Sequence, residues 1–476
     1  MTYELIPIPL IVQPTNRNTS ASKDAKVLNC IVETMADKSR HVMQRPGIQF
    51  GVDLQITPGS NFGGVSFFKT KSYIIFDAIF YIYDSTLTLI NQHAVEAPVG
   101  EIYTMGSYRT TSGNNETLLL KSNKVYRYFD TPSSTMNDVT TAVTSVGAVA
   151  PFKPGVVVLD GAGYILDAND RIYGTSTGGL SSWSALNYIG VTGDNDTGVA
   201  LSQQLNYVVV FKDTSIEFYY NASNPTGTPL ARNDSAKNST VGCGSARSIY
   251  NYGGTLIWQY KTNTGGKGFA MMENLQVKVI STPSVERMLT DTDKCISFGF
   301  TSNGHTYYCA YIPSRNVTMV YDINESEWYE WTYADGHMPF LGTVLYQSSQ
   351  YLIHESNGKT YNTSIEATGD EIVEDVFTPI VSDIVTSRYD RNTVVMKQCA
   401  RLEIVSDVVP TGTIKVRYSD DDYVTWSDWH DVPLVDYVNF ITRLGSFRRR
   451  AFWFRFSGTV PFRLTHMNLG IQMGSS

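Results

Sequence analysis

The stretch "FTSNGHTYYCAYIP" (Phe300 to Pro313), followed by "NVTMVYDINESEWYEW" (Asn316 to Trp331), carries the pattern on which the fold turns. Each half holds short runs rich in Tyr, Val, Thr and Trp, split by a turn of Asn-Gly or Asp-Ile-Asn type. β-branched and aromatic residues suit a pleated, packed surface, while Asn, Gly and Asp supply turns. The stretch therefore predicts two hairpin arms, the second ending in a Tyr-Asp…Trp pattern. One four-stranded sheet of this kind cannot bury both of its faces, so it needs neighbours like itself.

Such neighbours run through the middle of the chain. Comparable units span Gly63 to Ile90, Glu101 to Asp130, Gly155 to Ser176 (with Trp183 shortly after), Val199 to Ala222, Ala246 to Ser281, Lys294 to Thr332 and Phe340 to Ser364. Their starts lie on the order of 45 residues apart, the spacing of propeller blades. Radial packing of such blades buries their faces and leaves only short edges. The count is six if the first and last units share a blade, and seven if they do not.

Composition agrees with a mostly β fold. The chain has 476 residues, 42% of them hydrophobic and only 17% charged, with 30 Tyr, 21 Phe and 7 Trp. No amphipathic helix longer than about two turns is read. The net charge of −8 argues against a generally basic, non-specific nucleic-acid binder, so any DNA contact must be local or set by geometry. Five scattered cysteines without a CxxC pair fit reduced thiols of a cytosolic product rather than a disulfide framework or zinc site. No secretion signal and no membrane span are read.

A boundary follows the last unit. The stretch 364–376, "SIEATGDEIVEDV", is acidic and poor in aromatics, and strand-and-turn patterning resumes at Met396. The expected organisation is an N-terminal segment 1–45 packing with a platform, a six- or seven-bladed β-propeller 46–366, a linker and transition 367–395, and a separate small antiparallel β-sandwich platform 396–476. A closed propeller brings its chain ends together, which is why the N-terminal segment is placed with the platform.

Chemistry is harder to find. "YSDDDYVTWSDW" (Tyr418 to Trp429) nearly spells the Asp-box of sialidases: Ser419, Asp421, Thr425 and Trp426 fit, and Tyr423 stands where Gly is expected. The box shapes a turn even in true sialidases. This copy stands alone outside the repeats, so Asp421 is expected to bind turn amides and Trp426 to pack below. "KTNTGGKGF" (Lys261 to Phe269) lacks the first Gly and the Ser/Thr of a phosphate loop. "GDNDTG" (Gly193 to Gly198) lacks the Glu of a calcium loop. The histidines at 41, 93, 305, 337, 354, 430 and 466 form no ligand or catalytic spacing, and Glu325 and Glu327 beside Trp328 read as a solvated strand end. No catalytic, cofactor or metal residue is assigned, and the chain is expected not to be an enzyme. The one unusual charge feature is Arg443, Arg448, Arg449, Arg450, Arg455 and Arg463 within a short segment of an acidic chain. Arg makes bidentate contacts with carboxylate and phosphate, which suits an interface with a protein partner or DNA. The competing reading is strand alternation that turns aromatics inward and arginines to solvent.

Four stretches in order resemble the packaged-DNA stabilisation proteins of short-tailed phages, also called tail accessory factors or tail nozzle proteins. They are "MQRPGIQF" (Met43 to Phe50), "DTSIEFYYNAS" (Asp213 to Ser223), "VFTPI" (Val376 to Ile380) and the closing "RLGSFRRRAFWFRFSGTVPFRLTHMNLGIQ" (Arg443 to Gln472). The resemblance implies a structural virion protein, assembled in the host cytoplasm as a hexameric ring below the portal and adaptor proteins. The ring would extend the DNA channel, help retain packaged DNA, carry tail fibres or spikes and a tail plug, and let double-stranded DNA pass without sequence specificity. No cofactor and no membrane insertion are implied. The alternative classes are a receptor- or glycan-binding propeller of a tail fibre and, further off, a sialidase-like hydrolase.

Overall fold

The computed structural model describes residues 4–8, 25–57, 59–131, 134–334, 336–373 and 376–474. Seven antiparallel sheets follow one another around an axis: blade 1 (62–94), blade 2 (104–138), blade 3 (153–190), blade 4 (198–232), blade 5 (242–279), blade 6 (296–331) and blade 7 (340–364 with strand Gly47–Asp53). The first and last sequence units do not share a blade. Six of the blades are sheets of their own, while blade 6 opens a longer sheet.

Blade 6 shows why the sequence reads as near-continuous apolar runs. Its strands Ile296–Ser302, His305–Ile312, Val317–Asp322 and Glu327–Trp331 pair in order, with Cys309 opposite Val320 and Tyr321 opposite Trp328. Tyr307, Cys309, Val320 and Tyr329 face one neighbour, and Tyr308, Ala310, Met319 and Trp328 face the other. Both faces are buried, so neither parity of the strand can be polar. Seven apolar seams close the ring. Ile75 and Phe80 meet Leu119 and Tyr128; Leu118 meets Ile165; Tyr164 meets Val208; Phe211 meets Trp258; Phe269 meets Tyr308; Phe298 meets Phe340; and Val344 meets Ile74.

The innermost strands crowd together around an axial cavity of about 650 Å³. Glycine permits that approach: Gly155 has φ +113°, and a Cβ there would run into the backbone of Leu201 on the next blade. Ser66, Ser107, Ser202, Asn251, Ser297 and Thr343 are among its lining residues, and that lining holds no Asp, Glu, Lys, Arg or His.

Closure comes from the far end of the chain. Gly47–Asp53 forms the outer strand of blade 7, with Phe50 opposite Tyr361 and Gly47 opposite Ser364. The "RPG" step before it is an anchor. The Arg45 guanidinium donates to both oxygens of Asp370 at 3.0 and 2.6 Å, to Asn29 Oδ1 at 3.1 Å and to the carbonyls of Pro46 and Thr332 at 3.0 and 3.1 Å. Both side chains of this ion pair are almost fully buried.

Gly369–Val373 and Val376–Pro379 pair with each other in a small sheet of their own, and the other remaining strands form a platform of two packed sheets. One runs Cys30–Thr34, Arg40–Gln44, Arg463–Met473, Lys397–Ser406, Val438–Thr442, with Glu4–Ile8 added on Arg463–Met473 and Ser446–Phe447 on Lys397–Ser406. The other continues blade 6 through Lys26–Leu28, Ser382–Val385, Ala451–Phe456, Val409–Ser419 and His430–Leu434. The junction is the parallel pairing of Leu28 with Glu330, reinforced by the Asn29 amide donating to the Glu330 carbonyl at 2.9 Å. One core joins platform and propeller, with Ile404, Leu469 and Phe454 in the same cluster as Tyr307 and Phe340.

Candidate interaction surface

The Asp-box stretch is a hairpin of the platform. Asp421 Oδ1 accepts the Thr425 amide at 2.9 Å and the Ser419 hydroxyl at 2.9 Å, and Oδ2 accepts the Thr425 hydroxyl at 2.5 Å. These bonds, led by that from the Thr425 hydroxyl, pull the exposed Asp421 carboxyl down to about 2. The box needs Gly because its fifth position is left-handed, and Tyr423 adopts φ 66° there. A tyrosine is tolerated because its side chain is 4% exposed and its hydroxyl donates to the Thr386 carbonyl at 3.0 Å. Asp421 is thus a turn former bound within its own loop, as the sequence predicts. The hairpin delivers Trp426 and Trp429 beside Trp453 on the outer face of the platform.

The six arginines of the C-terminal segment divide. In strand Ala451–Phe456 the side chains of Phe452, Phe454 and Phe456 enter the core, and Arg455 lies on the opposite face. Arg455 makes a bidentate pair with the buried Asp383 at 2.8 and 2.9 Å. Arg463 pairs with Asp407 at 2.8 Å. Arg450 does not reach solvent: it is 1% exposed, forks onto Asp420 at 2.7 Å twice, donates to the Leu444 carbonyl at 2.6 Å and stacks on Tyr418. It is a structural residue, because a buried guanidinium needs a partner for its charge and donors. Arg443, Arg448 and Arg449 are exposed. Arg449 is 3.3 Å from Asp422, and Arg448 lies 3.5 Å from the Val394 carbonyl. Exposed apolar side chains border these three: Tyr437, Val438 and Phe440 (58% exposed) before Arg443, and Val394, Met396 and Met473 near Arg448. Strand Val438–Thr442 is an edge, pairing only with Lys397–Ser406 among the described residues.

The other motifs resolve into structure. In the Gly193–Gly198 loop Asp194 pairs with Lys237 at 2.9 Å and Asp196 with Lys212 at 3.0 Å. Burial opposes the Asp196 charge, but the Thr214 amide and Lys212 overcome it and hold the carboxyl below its usual range. Glu217 of the "SIEFYY" stretch is buried in that network, accepting from Lys212, the Gly193 amide and the Tyr219 hydroxyl. The loop at Lys261–Phe269 is a hairpin turn closed by Thr262 and Gly266. Glu325 and Glu327 bind Thr34 and Arg40 of the N-terminal hairpin. Among the described residues no three His, Cys, Asp or Glu side chains group as a metal site, and no helix is long and apolar enough to cross a membrane.

Sequence reasoning passed over Arg417. It sits between Trp426, Trp429 and Trp453, with its guanidinium 5.2, 4.3 and 3.9 Å from their ring centres. The signal was available: in "TIKVRY" Lys415 and Arg417 share one parity of a strand whose other parity, Ile414 and Val416, is core.

The Bacteriophage P22 Gp10 β-propeller family, whose model is titled Phage_stabilise, matches residues 29–352. That is more than half of the chain. The chain belongs to this family of phage structural proteins. No curated protein sequence matches it. Solved structures with some likeness include the N-terminal domain of Nup159 (9% identity, 71% of this chain and 98% of that one, TM-score 0.39). The Neurospora crassa Pan2 WD40 domain is similar at 9% identity over 77% of this chain and 100% of that one, with a TM-score of 0.38. The computationally designed Ika8 protein has 10% identity over 66% of this chain and 99% of that one, with a TM-score of 0.37.

Proposed function

We propose that this phage protein works as a hexameric tail nozzle below the portal and adaptor, extending the DNA channel, helping to retain packaged DNA, and supporting genome ejection and the attachment of fibres or spikes and a tail plug. Membership of the packaged-DNA stabilisation family is the observation that carries this reading. The site of action is the virion tail, after synthesis and assembly in the host cytoplasm. A ring is built from heterologous contacts that close by rotation. The exposed edge around Phe440 and the exposed Arg443, Arg448 and Arg449 supply a surface of the composition interfaces favour, aromatic and Arg-rich. Arg463 keeps its own carboxylate in the same sheet, Arg450 supports the surface from beneath, and Arg455 lies in the other sheet, bound to Asp383.

DNA would pass between copies. The axial cavity of one propeller, at about 650 Å³ and shut in by strands, is too small for a duplex. A chain of net charge −8 offers a ring whose lumen repels the phosphate backbone and keeps transit from sticking. Electron microscopy of the purified protein and of particles tests the reading. A sixfold ring with a neutral to acidic central channel is expected; a monomer or trimer that binds glycans, or a continuous basic lumen, counts against it.

A further inference from the structure

The outer face of the second platform sheet carries a cationic, indole-walled surface that neither the family nor the ring explains. Lys415 and Arg455 lie opposite each other on adjacent strands, as do Arg417 and Trp453. With Thr413, Trp429 and Ser457 the first pair lines a pocket of about 180 Å³. Lys26 adds a fourth cation, 5.6 Å from the centre of Trp453. Two carboxylates face these groups. Asp383 is engaged by Arg455 and by the Trp453 indole nitrogen, and Asp431 stands 3.9 Å from Lys415. Among the described residues these four cations, Lys26 nearly buried, against two facing carboxylates leave an excess of positive charge on a chain that is acidic as a whole.

Arg417 is the sharpest sign. Among the described residues it has no carboxylate partner, and its Nε is buried with no acceptor. Burial among the indoles, and then the neighbouring Arg455, push its guanidinium down from the ordinary value. Asp383 offsets this only in part, and a further negative charge placed from outside would act in the same direction. Trp and Arg around a half-covered pocket are also the residues that dominate protein interfaces. Among the described residues the bordering strand His430–Leu434 pairs on one side only, with Val409–Ser419, so its other edge can take an extended chain.

We propose that this face docks an acidic segment of a partner protein, with one carboxylate seated in the pocket between Lys415 and Arg455 against the Trp429 ring. An extended segment fits better than a small free anion. The pocket engages only two of the four cations, and the rest of the positive surface continues past Trp429 towards Arg417. The inference is independent of the ring, because these residues lie away from the Phe440 edge strand, in the other sheet.

Titration of the full-length protein with a hexaglutamate peptide, followed by tryptophan fluorescence at low salt, tests it. A saturable change that weakens as salt rises is expected. Lys415→Glu should weaken binding roughly tenfold or more with an unchanged melting temperature, since Lys415 is 52% exposed, and Lys415→Arg should preserve it. Absence of a saturable change overturns the proposal, as does equal binding by Lys415→Glu. Binding of inorganic phosphate or glucuronate as tight as that of the peptide overturns the protein partner, because a small-anion site then accounts for the pocket.

Discussion

Propeller and platform treat charge in opposite ways. In the propeller, charged side chains stay off the axis and buried ones are held by partners, as Lys212 is by Asp196 and Glu217 and Asp293 is by Thr290 and Ser314. In the platform, guanidinium groups are stacked on indoles and phenyl rings, and several remain open to solvent. The two regions nevertheless share a sheet and a core. The lesson is that β structure of one composition can serve as a sealed scaffold or as a surface, according to whether its second face is covered.

The largest effect is expected at the join. Arg45→Ala leaves Asp370 buried without its partner and should cost about 3–5 kcal/mol in denaturant unfolding. The double change Arg45→Met with Asp370→Leu should recover much of that loss; if it does not, the pair does more than neutralise itself. Within the propeller, Gly155→Val combines a positive φ with a collision at Leu201 and should cost about 3 kcal/mol. A silent substitution there would mean that the inner strands are not tightly packed.

Acid separates the regions further. Burial lowers the His354 imidazole of blade 7 to about 4, against the pull of Glu355, and its Nδ1 accepts the Ser356 amide at 3.1 Å. The unfolded chain, with a His value of about 6.5, binds the proton first as pH falls. Stability is therefore fully present above about 6.5 and is lost towards 4, by about 2 kcal/mol at pH 5. His354→Asn should flatten the fall in melting temperature between pH 7 and 5. His305 has the opposite sense: its bond to Asp322 raises it, so its contribution is present at low pH and fades as pH rises through the raised value.

Smaller effects belong to the platform. Trp426→Ala removes a half-buried ring from the Trp453 and Arg417 stack and should cost about 1–2 kcal/mol. Arg448→Glu with Arg449→Glu should leave stability within about 0.5 kcal/mol while blocking ring assembly. Normal particles from that variant would remove these arginines from any interface.

The blades were legible because their central strands are buried on both faces and many of their turns carry Gly, Asn or Asp. Other elements were not. Lys26–Leu28 and Ser382–Val385 are too short to show a period, and only their neighbours make them strands. Nothing local in Gly47–Asp53 says that it completes a blade beginning at Phe340. The arginine run is the clearest case. Three adjacent guanidinium groups look equivalent in sequence, and Arg450 differs from Arg448 and Arg449 through partners the run does not reveal, above all Asp420, thirty residues earlier. Charge announces a surface by default, and burial of a charge is visible only when its partner is known.

The strand that completes blade 7 also sets a timetable. Phe50 emerges from the ribosome about 300 residues before Tyr361, its partner in the sheet. Blades 1 to 6 can form their local hairpins as they appear, but the circle cannot shut until almost the whole chain has been made. Such long-range closure is slow by its nature. Until it happens blade 7 presents an open edge of Lys359–Ser364, a vacancy that Gly47–Asp53 of another nascent copy fits as well as its own. In a cell making many copies at once, the latch is the point at which chains can exchange arms, and the buried grip of Arg45 on Asp370 locks whichever arm arrives.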